Sequence, residues 1–244
     1  MARAPWPVAG GRKGPVRRVL SGPARRRLSR IAAEVPGAEP VLLWGNPAER
    51  VIDWSWSARP DLLVAASHAG RVERALGSFV RRVAVAGPCP ALVLPSGVRA
   101  GEAPGPGEAP YRHIACCVDD SPASARALEE ATRLRALGPG SLRVVHAAPR
   151  PLIEPPGPED PPGAPRDIAS EDAAWLRRTA GAVPGAEPVL LSGLAPDEVL
   201  AWAGTVRPDL LVAAVHRGPV ERVLLGSFAA RVALEAPCPV LLTR

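Results

Sequence analysis

The stretch RPDLLVAAVHRGPVERVLLGSF, Arg207 to Phe228, repeats one that the chain has already spelled near its start, RPDLLVAASHAGRVERALGSF, Arg59 to Phe79. In each copy DLLVAA is a continuous apolar run that reads as a strand buried on both faces, and Gly-Ser-Phe opens a helix. The correspondence holds at a constant offset of 148 from Val35–Leu43 against Val183–Leu191 through His68 and His216. Within it Trp54 matches Trp202, and Arg59-Pro60-Asp61 matches Arg207-Pro208-Asp209. The offset then becomes 149, because the first copy is one residue shorter before Gly77-Ser78, and Pro88-Cys89-Pro90 matches Pro237-Cys238-Pro239.

Outward from this anchor, the second copy is complete. YRHIACCVDD, from Tyr111, reads as a buried strand, and Ser121-Pro122 supplies a helix N-cap with proline at the first helical position. Ala125, Leu128, Ala131, Thr132 and Leu134 recur at helical spacing until Gly138. SLRVVHAA is the second strand, and the proline-rich PRPLIEPPGPEDPPGAP after it reads as an exposed loop. A helix over Ile168 to Ala182, a strand at EPVLLSG, a helix after Pro196, the strand DLLVAAV, a helix at Gly226-Ser227 and the strand PVLLT complete the order. Strands that are apolar throughout, alternating with helices, predict a doubly wound α/β domain with a five-stranded parallel sheet.

The first copy has no chain for the first two strands and first helix. The organisation expected is a basic, flexible segment over 1–23, a partial domain of the last three strands over 24–95, a Pro/Gly-rich linker over 96–110 and a complete domain over 111–244. A three-stranded fragment leaves a sheet edge and apolar surface uncovered, so it is expected to lean on the second copy.

Bulk properties exclude several classes. With 47% hydrophobic residues the chain has the material for a core, yet no apolar run approaches the roughly 18 residues of a membrane span. MARAPWPVAGGRKG lacks the apolar stretch of a secretory signal, so a cytoplasmic location is expected. Residues 1 to 34 hold nine Arg or Lys against Glu34 alone, so the net charge of +6 belongs to one end. That segment carries no nucleic-acid recognition motif, and nucleic acid is not an expected partner. Cys89, Cys116, Cys117 and Cys238 have no zinc spacing and read as buried, reduced thiols. Trp54, Trp56, Trp175 and Trp202 read as packing residues on helices, and Asp61 and Asp209 as turn residues. His68 and His216 repeat at a strand end, with no partner positioned to complete a catalytic site, and read as histidines bonding local loop backbone. No catalytic triad, metal cluster or P-loop emerges.

VDDSPASARALEEA, DLLVAAVH…LLGSF and APCPVLLT together resemble a universal stress protein domain, an α/β fold of the adenine-nucleotide-hydrolase-like type. The resemblance covers nearly all of 111–244 and, less its first third, 24–95. It implies a cytoplasmic stress-response or regulatory role, and pairing through the last strands, so Ala91–Leu94 and Val240–Leu242 are the edges expected to meet in an intrachain pseudo-dimer; a homodimer stays open. Nucleotide-binding members place an Asp at the end of the first strand and hold phosphates in Gly-x-x-Gly, nine residues, then Gly-Ser or Gly-Thr. Asp119 matches that Asp, and Gly226-Ser227 the helix-opening pair. The earlier glycine positions fall on Ala214 and Arg217, with Gly218 one residue along, and the intervening loop has eight residues. The first copy, with Ala66 and Ala69 at those positions, departs further. The expectation is therefore a non-catalytic regulatory or interaction protein with a degenerate nucleotide site and no cofactor. The alternative is an ATP or AMP binder with slow hydrolysis, using Asp119, Gly226, Ser227 and a rearranged loop at Ala214 to Gly218.

Overall fold

The computed structural model describes residues 15–66, 73–95, 110–148, 168–215 and 227–244. The chain divides into two compact units, Met1–Arg59 and Pro60–Arg244. The first contains helices α1 (Pro15–Ala33) and α2 (Pro47–Ala58). Helix α1 starts inside the segment 1–23 that composition marks as flexible: Pro15 suits the first helical position, where a missing N–H costs nothing. Asn46 caps α2 by accepting from Glu49 N, and Trp56, read as a packing residue, is instead 54% exposed.

The second unit holds β1 (Leu63–Ala66), α3 (Glu73–Ala86), β2 (Ala91–Leu94), β3 (His113–Cys117), α4 (Pro122–Arg135), β4 (Ser141–Ala148), α5 (Ile168–Gly181), β5 (Ala186–Ser192), α6 (Ala195–Val206), β6 (Leu210–Ala214), α7 (Ser227–Glu235) and β7 (Val240–Thr243). Its seven strands form one sheet in the order β1-β2-β7-β6-β3-β4-β5. The five strands of the second copy are mutually parallel, as expected, and α/β winding on both faces is confirmed. The two last strands meet as expected: β2 and β7 pair antiparallel, with Ala91 opposite Leu242 and Val93 opposite Val240. The repeat boundary therefore does not separate compact units, because β1 and β2 of the first copy continue the sheet of the second.

Alternate residues of the central strands serve opposite faces. On one face Leu211, Ala213, Val240, Leu242, Val93 and Ala115 pack beneath α3, α6 and α7. On the other, Leu210, Val212, Ile114, Cys116, Leu142 and Val144 pack beneath α4 and α5. A strand with helices on both faces has no polar position, which is why DLLVAA shows no alternation.

One expected strand does not form. Val35–Leu43 matches the segment leading into β5, and the backbone keeps the family likeness: Gly37 and Gly45 lie at φ 80° and 124°, their counterparts Gly185 and Gly193 at 71° and 145°. Even Arg59 and Arg207, which end α2 and α6, share the left-handed conformation at φ 48° and 50°. Yet no strand lies between Ala33 and Pro47. The reason is the ladder: among the described residues β5 pairs only with β4, and none of those in the first copy forms a counterpart of β4 to supply hydrogen bonds. The partial domain contributes two strands, not three.

Arg244 ties the repeats together. Its Nε donates to Cys89 O at 2.8 Å and Nη2 donates to Ala84 O, placing a cation against the C-terminal carbonyls of α3. The Arg126 guanidinium in turn donates to Arg244 O at 3.1 Å. All four cysteines are free and buried, as their apolar settings predict.

Candidate functional site

In an open α/β sheet the strand order reverses at one point, and the helices on either side of it diverge to leave a crevice beyond the strands' carboxyl ends. Here that point lies between β3 and β6. A cavity of about 180 Å³ occupies it, walled by Cys117 to Asp119 from β3, Val145 to Ala147 from β4, Ala214 and Val215 from β6, Val199 from α6 and Phe228 from α7.

Asp119 sits where β3 gives way to α4. Its Oδ1 accepts from Ser121 N at 3.1 Å and from Ser124 Oγ at 2.6 Å, while Asp119 N donates back to Ser124 Oγ at 3.0 Å. Ser121 caps the helix by accepting from Ser124 N through its own Oγ at 3.1 Å. The strand end and the helix start are thus locked into one hydrogen-bonded knot, in which Ser124 is buried. Asp119 supports the helix start, and it borders the cavity as well. No cluster of acidic, histidine and cysteine side chains suited to a metal ion occurs among the described residues.

Of the other predicted site residues, Ala214 is the last of β6, buried, and borders the cavity. Ser227 is the first residue of α7. Arg217, Gly218 and Gly226 lie outside the described residues, as do His68 and His216. The structure therefore brings Asp119 and Ala214 to one cavity.

The sequence pattern missed His146. It lines the cavity from β4, its Nδ1 2.9 Å from Val118 O, its ring edge to face with Trp175 at 4.9 Å, and its Nε2 4.0 Å from Asp172 Oδ1. A carbonyl oxygen can only accept, so Nδ1 carries the proton and Nε2 is turned toward the carboxylate of α5. A titratable residue inside the otherwise apolar run VVHAA was the available signal. Asp172 and Trp175, one helical turn apart on α5, reach it together.

Cys117, in the cavity wall, and its neighbour Cys116 are both buried. Burial pushes the Cys117 thiol up to about 12, with Cys238 adding repulsion, and burial also pushes Cys116 well above the ordinary range. These thiols stay protonated and behave as small apolar groups.

Asp209 departs from its expected role as a turn residue. Its Oδ2 accepts from both Arg112 N and His113 N at 2.8 Å, and Asp209 N donates to His113 O at 2.8 Å, so it clamps the start of β3 onto β6.

A doubly wound parallel sheet with a crevice at its switch point places the chain in the class of open-sheet α/β proteins. The universal stress protein family model matches residues 7–95 and 110–244, and the chain belongs to that family. Among solved structures, a universal stress protein from Archaeoglobus fulgidus DSM 4304 matches at 18% identity and TM-score 0.66, over 93% of this chain and 78% of the other. A putative universal stress protein from Pseudomonas aeruginosa UCBPP-PA14 matches at 15% identity and TM-score 0.64, over 97% and 80%. A universal stress protein from Archaeoglobus fulgidus in complex with dAMP matches at 23% identity and TM-score 0.41, over 55% of this chain and 98% of the other. A search of curated proteins found no match. No helix among the described residues is long and apolar enough to cross a membrane.

Proposed function

We propose that this protein is a non-catalytic regulatory or interaction member of its family, acting in the cytoplasm, with a degenerate nucleotide site. The observation that carries the reading is the strand end of β6. A phosphate cradle needs backbone N–H groups that approach the oxygens closely, which glycine permits and a Cβ obstructs. At the first cradle position this chain carries Ala214, a buried residue at the cavity wall. The second position is Arg217, so neither of the two leading glycines remains. The Oδ1 of Asp119, which in binding members serves the adenosine side, is engaged by Ser121 N and Ser124 Oγ.

A second reading, an ATP or AMP site in the second repeat, is favoured by one observation: the switch-point cavity persists, with Asp119 at its rim. Calorimetry of the purified protein with AMP, and with ATP and Mg²⁺, separates the two, alongside mass spectrometry of any co-purified nucleotide. The first reading expects no heat of binding at micromolar concentrations and no retained nucleotide. Micromolar affinity that Asp119→Ala abolishes overturns it.

A further inference from the structure

The helix before Val35 and the helix before Val183 are one element written twice. Helices α1 and α5 end 148 residues apart, at Ala33 and Gly181. The same turn follows each: Val35 N donates to Ala32 O and Ala38 N to Val35 O, as Val183 N donates to Ala180 O and Ala186 N to Val183 O. At this offset Leu28 and Ala32 match Leu176 and Ala180, which α5 buries, and Arg30 matches Arg178.

The charges do not match. Helix α5 sets Glu171 and Asp172 against Arg177 and Arg178. Helix α1 carries Arg17, Arg18, Arg25, Arg26, Arg27 and Arg30 and no acidic residue. Pro23 and Ala24 stand where the second copy has its two acids, and Arg25-Arg26-Arg27 where it has Ala173-Ala174-Trp175. A chain-wide preference for arginine would charge both helices alike, and the excess is on one. Arg26, Arg27 and Arg30 are exposed, and residues three and four apart are neighbours on a helix, so the three share one face. The ion pairs of the described residues all lie elsewhere. Like charges at these spacings repel, and arginines in the first turn oppose the helix dipole. Such an array is stabilised by an external polyanion.

We propose that α1 is a binding surface for the phosphate backbone of double-stranded nucleic acid, engaged by charge and not by base sequence. Its 19 residues span about 28 Å, the length of roughly eight base pairs of duplex. The guanidinium fork matches phosphate oxygens in pairs, which suits arginine to this partner. A recognition motif is needed to read bases, and phosphate binding needs none, so the lack of a motif in this segment is no obstacle. An anionic lipid surface fits less well. An interfacial helix buries a broad apolar face, and the one exposed large apolar residue among the described residues of α1 is Ile31. The surface does not depend on whether nucleotide binds the switch-point cavity.

The probe is a fluorescent DNA duplex of arbitrary sequence, titrated with the full-length protein by anisotropy at several salt concentrations. Saturable binding is expected at about 50 mM KCl, equal for a second, unrelated duplex. Three to six neutralised phosphates give log K against log salt a slope of about −3 to −5, so affinity falls about 60- to 1,000-fold by about 200 mM. The triple variant Arg26→Ala, Arg27→Ala, Arg30→Ala makes the slope shallower by about 3, while Arg177→Ala with Arg178→Ala, on the matching helix, leaves it unchanged. Alanine favours the helix at each position, and circular dichroism with urea unfolding verifies that the fold is retained. Absence of saturable binding at the lowest salt overturns the proposal, as does a slope unmoved by the triple variant or equally reduced by the Arg177 and Arg178 pair. Tighter association with phosphatidylserine vesicles than with the duplex also overturns it and assigns α1 to a lipid surface.

Discussion

Asp61 and Asp209 follow the same Arg-Pro and precede the same Leu-Leu/Val strand, so any local account of their roles gives them equal weight. The structure separates them. Asp209 is half-buried and accepts two backbone N–H bonds at 2.8 Å from the first residues of a central strand; Asp61 is exposed and accepts none among the described residues. A hydrogen bond to a charged acceptor contributes about 1.5 to 3 kcal/mol when buried, so two bonds at partial exposure put Asp209→Ala at about 2 to 3 kcal/mol. The change leaves two N–H groups at the start of β3 to find water. Asp61→Ala, which removes no bond, belongs within about 0.5 kcal/mol of the parent. Asp209→Asn keeps an acceptor in place without the charge and falls between the two. Urea unfolding followed by far-ultraviolet circular dichroism and tryptophan fluorescence reads the difference. With a slope of about 2 kcal/mol/M, Asp209→Ala moves the midpoint down by about 1 M or slightly more, and Asp61→Ala leaves it in place. A silent Asp209→Ala, or an Asp61→Ala as costly as its counterpart, would falsify the view that strand addition, and not the local turn, gives this aspartate its energy.

Arg244→Ala removes the guanidinium from Ala84 O and Cys89 O at the end of α3, and about 1 to 3 kcal/mol of stability goes with it; Arg244→Lys, which reaches with one point charge instead of a fork, recovers only part, and thermal melts rank the three. The thiol of Cys117, raised from 9.0 to about 12 by burial and by Cys238, stays protonated in the folded chain. Because the folded state then holds a proton that the unfolded state releases, its contribution is constant below pH 9 and declines as pH rises from 9 toward 12. Native protein at pH 8 is therefore expected to leave Cys117 unlabelled by a thiol reagent and to expose it only in denaturant; rapid native labelling of Cys117, read by mass spectrometry, contradicts its burial.

The duplicated strand, the order of elements over 111–244 and the meeting of β2 with β7 were legible in the sequence and its family resemblance, because buried parallel strands and capped helices leave local signatures. Part of the cavity wall was legible for the same reason: Asp119 stands just past the end of a strand. His146 was not, since its partners Val118, Asp172 and Trp175 come from different elements. The third strand expected of the first copy, in the stretch matching β5, failed on a non-local condition, the absence among the described residues of a β4 counterpart to pair with it.

By itself the sequence determined that a strand is written twice, and with it the order of elements in the complete copy, because hydrophobic pattern, turn glycines and helix caps act over a few residues. Only the tertiary structure decided what each copy of that strand does. Leu210 and Leu62 are the same letter in the same phrase, one fully buried and one 42% exposed. The difference is made by β3 and α4, which among the described residues lie beside only one of the two strands, and burial is a property of what lies alongside.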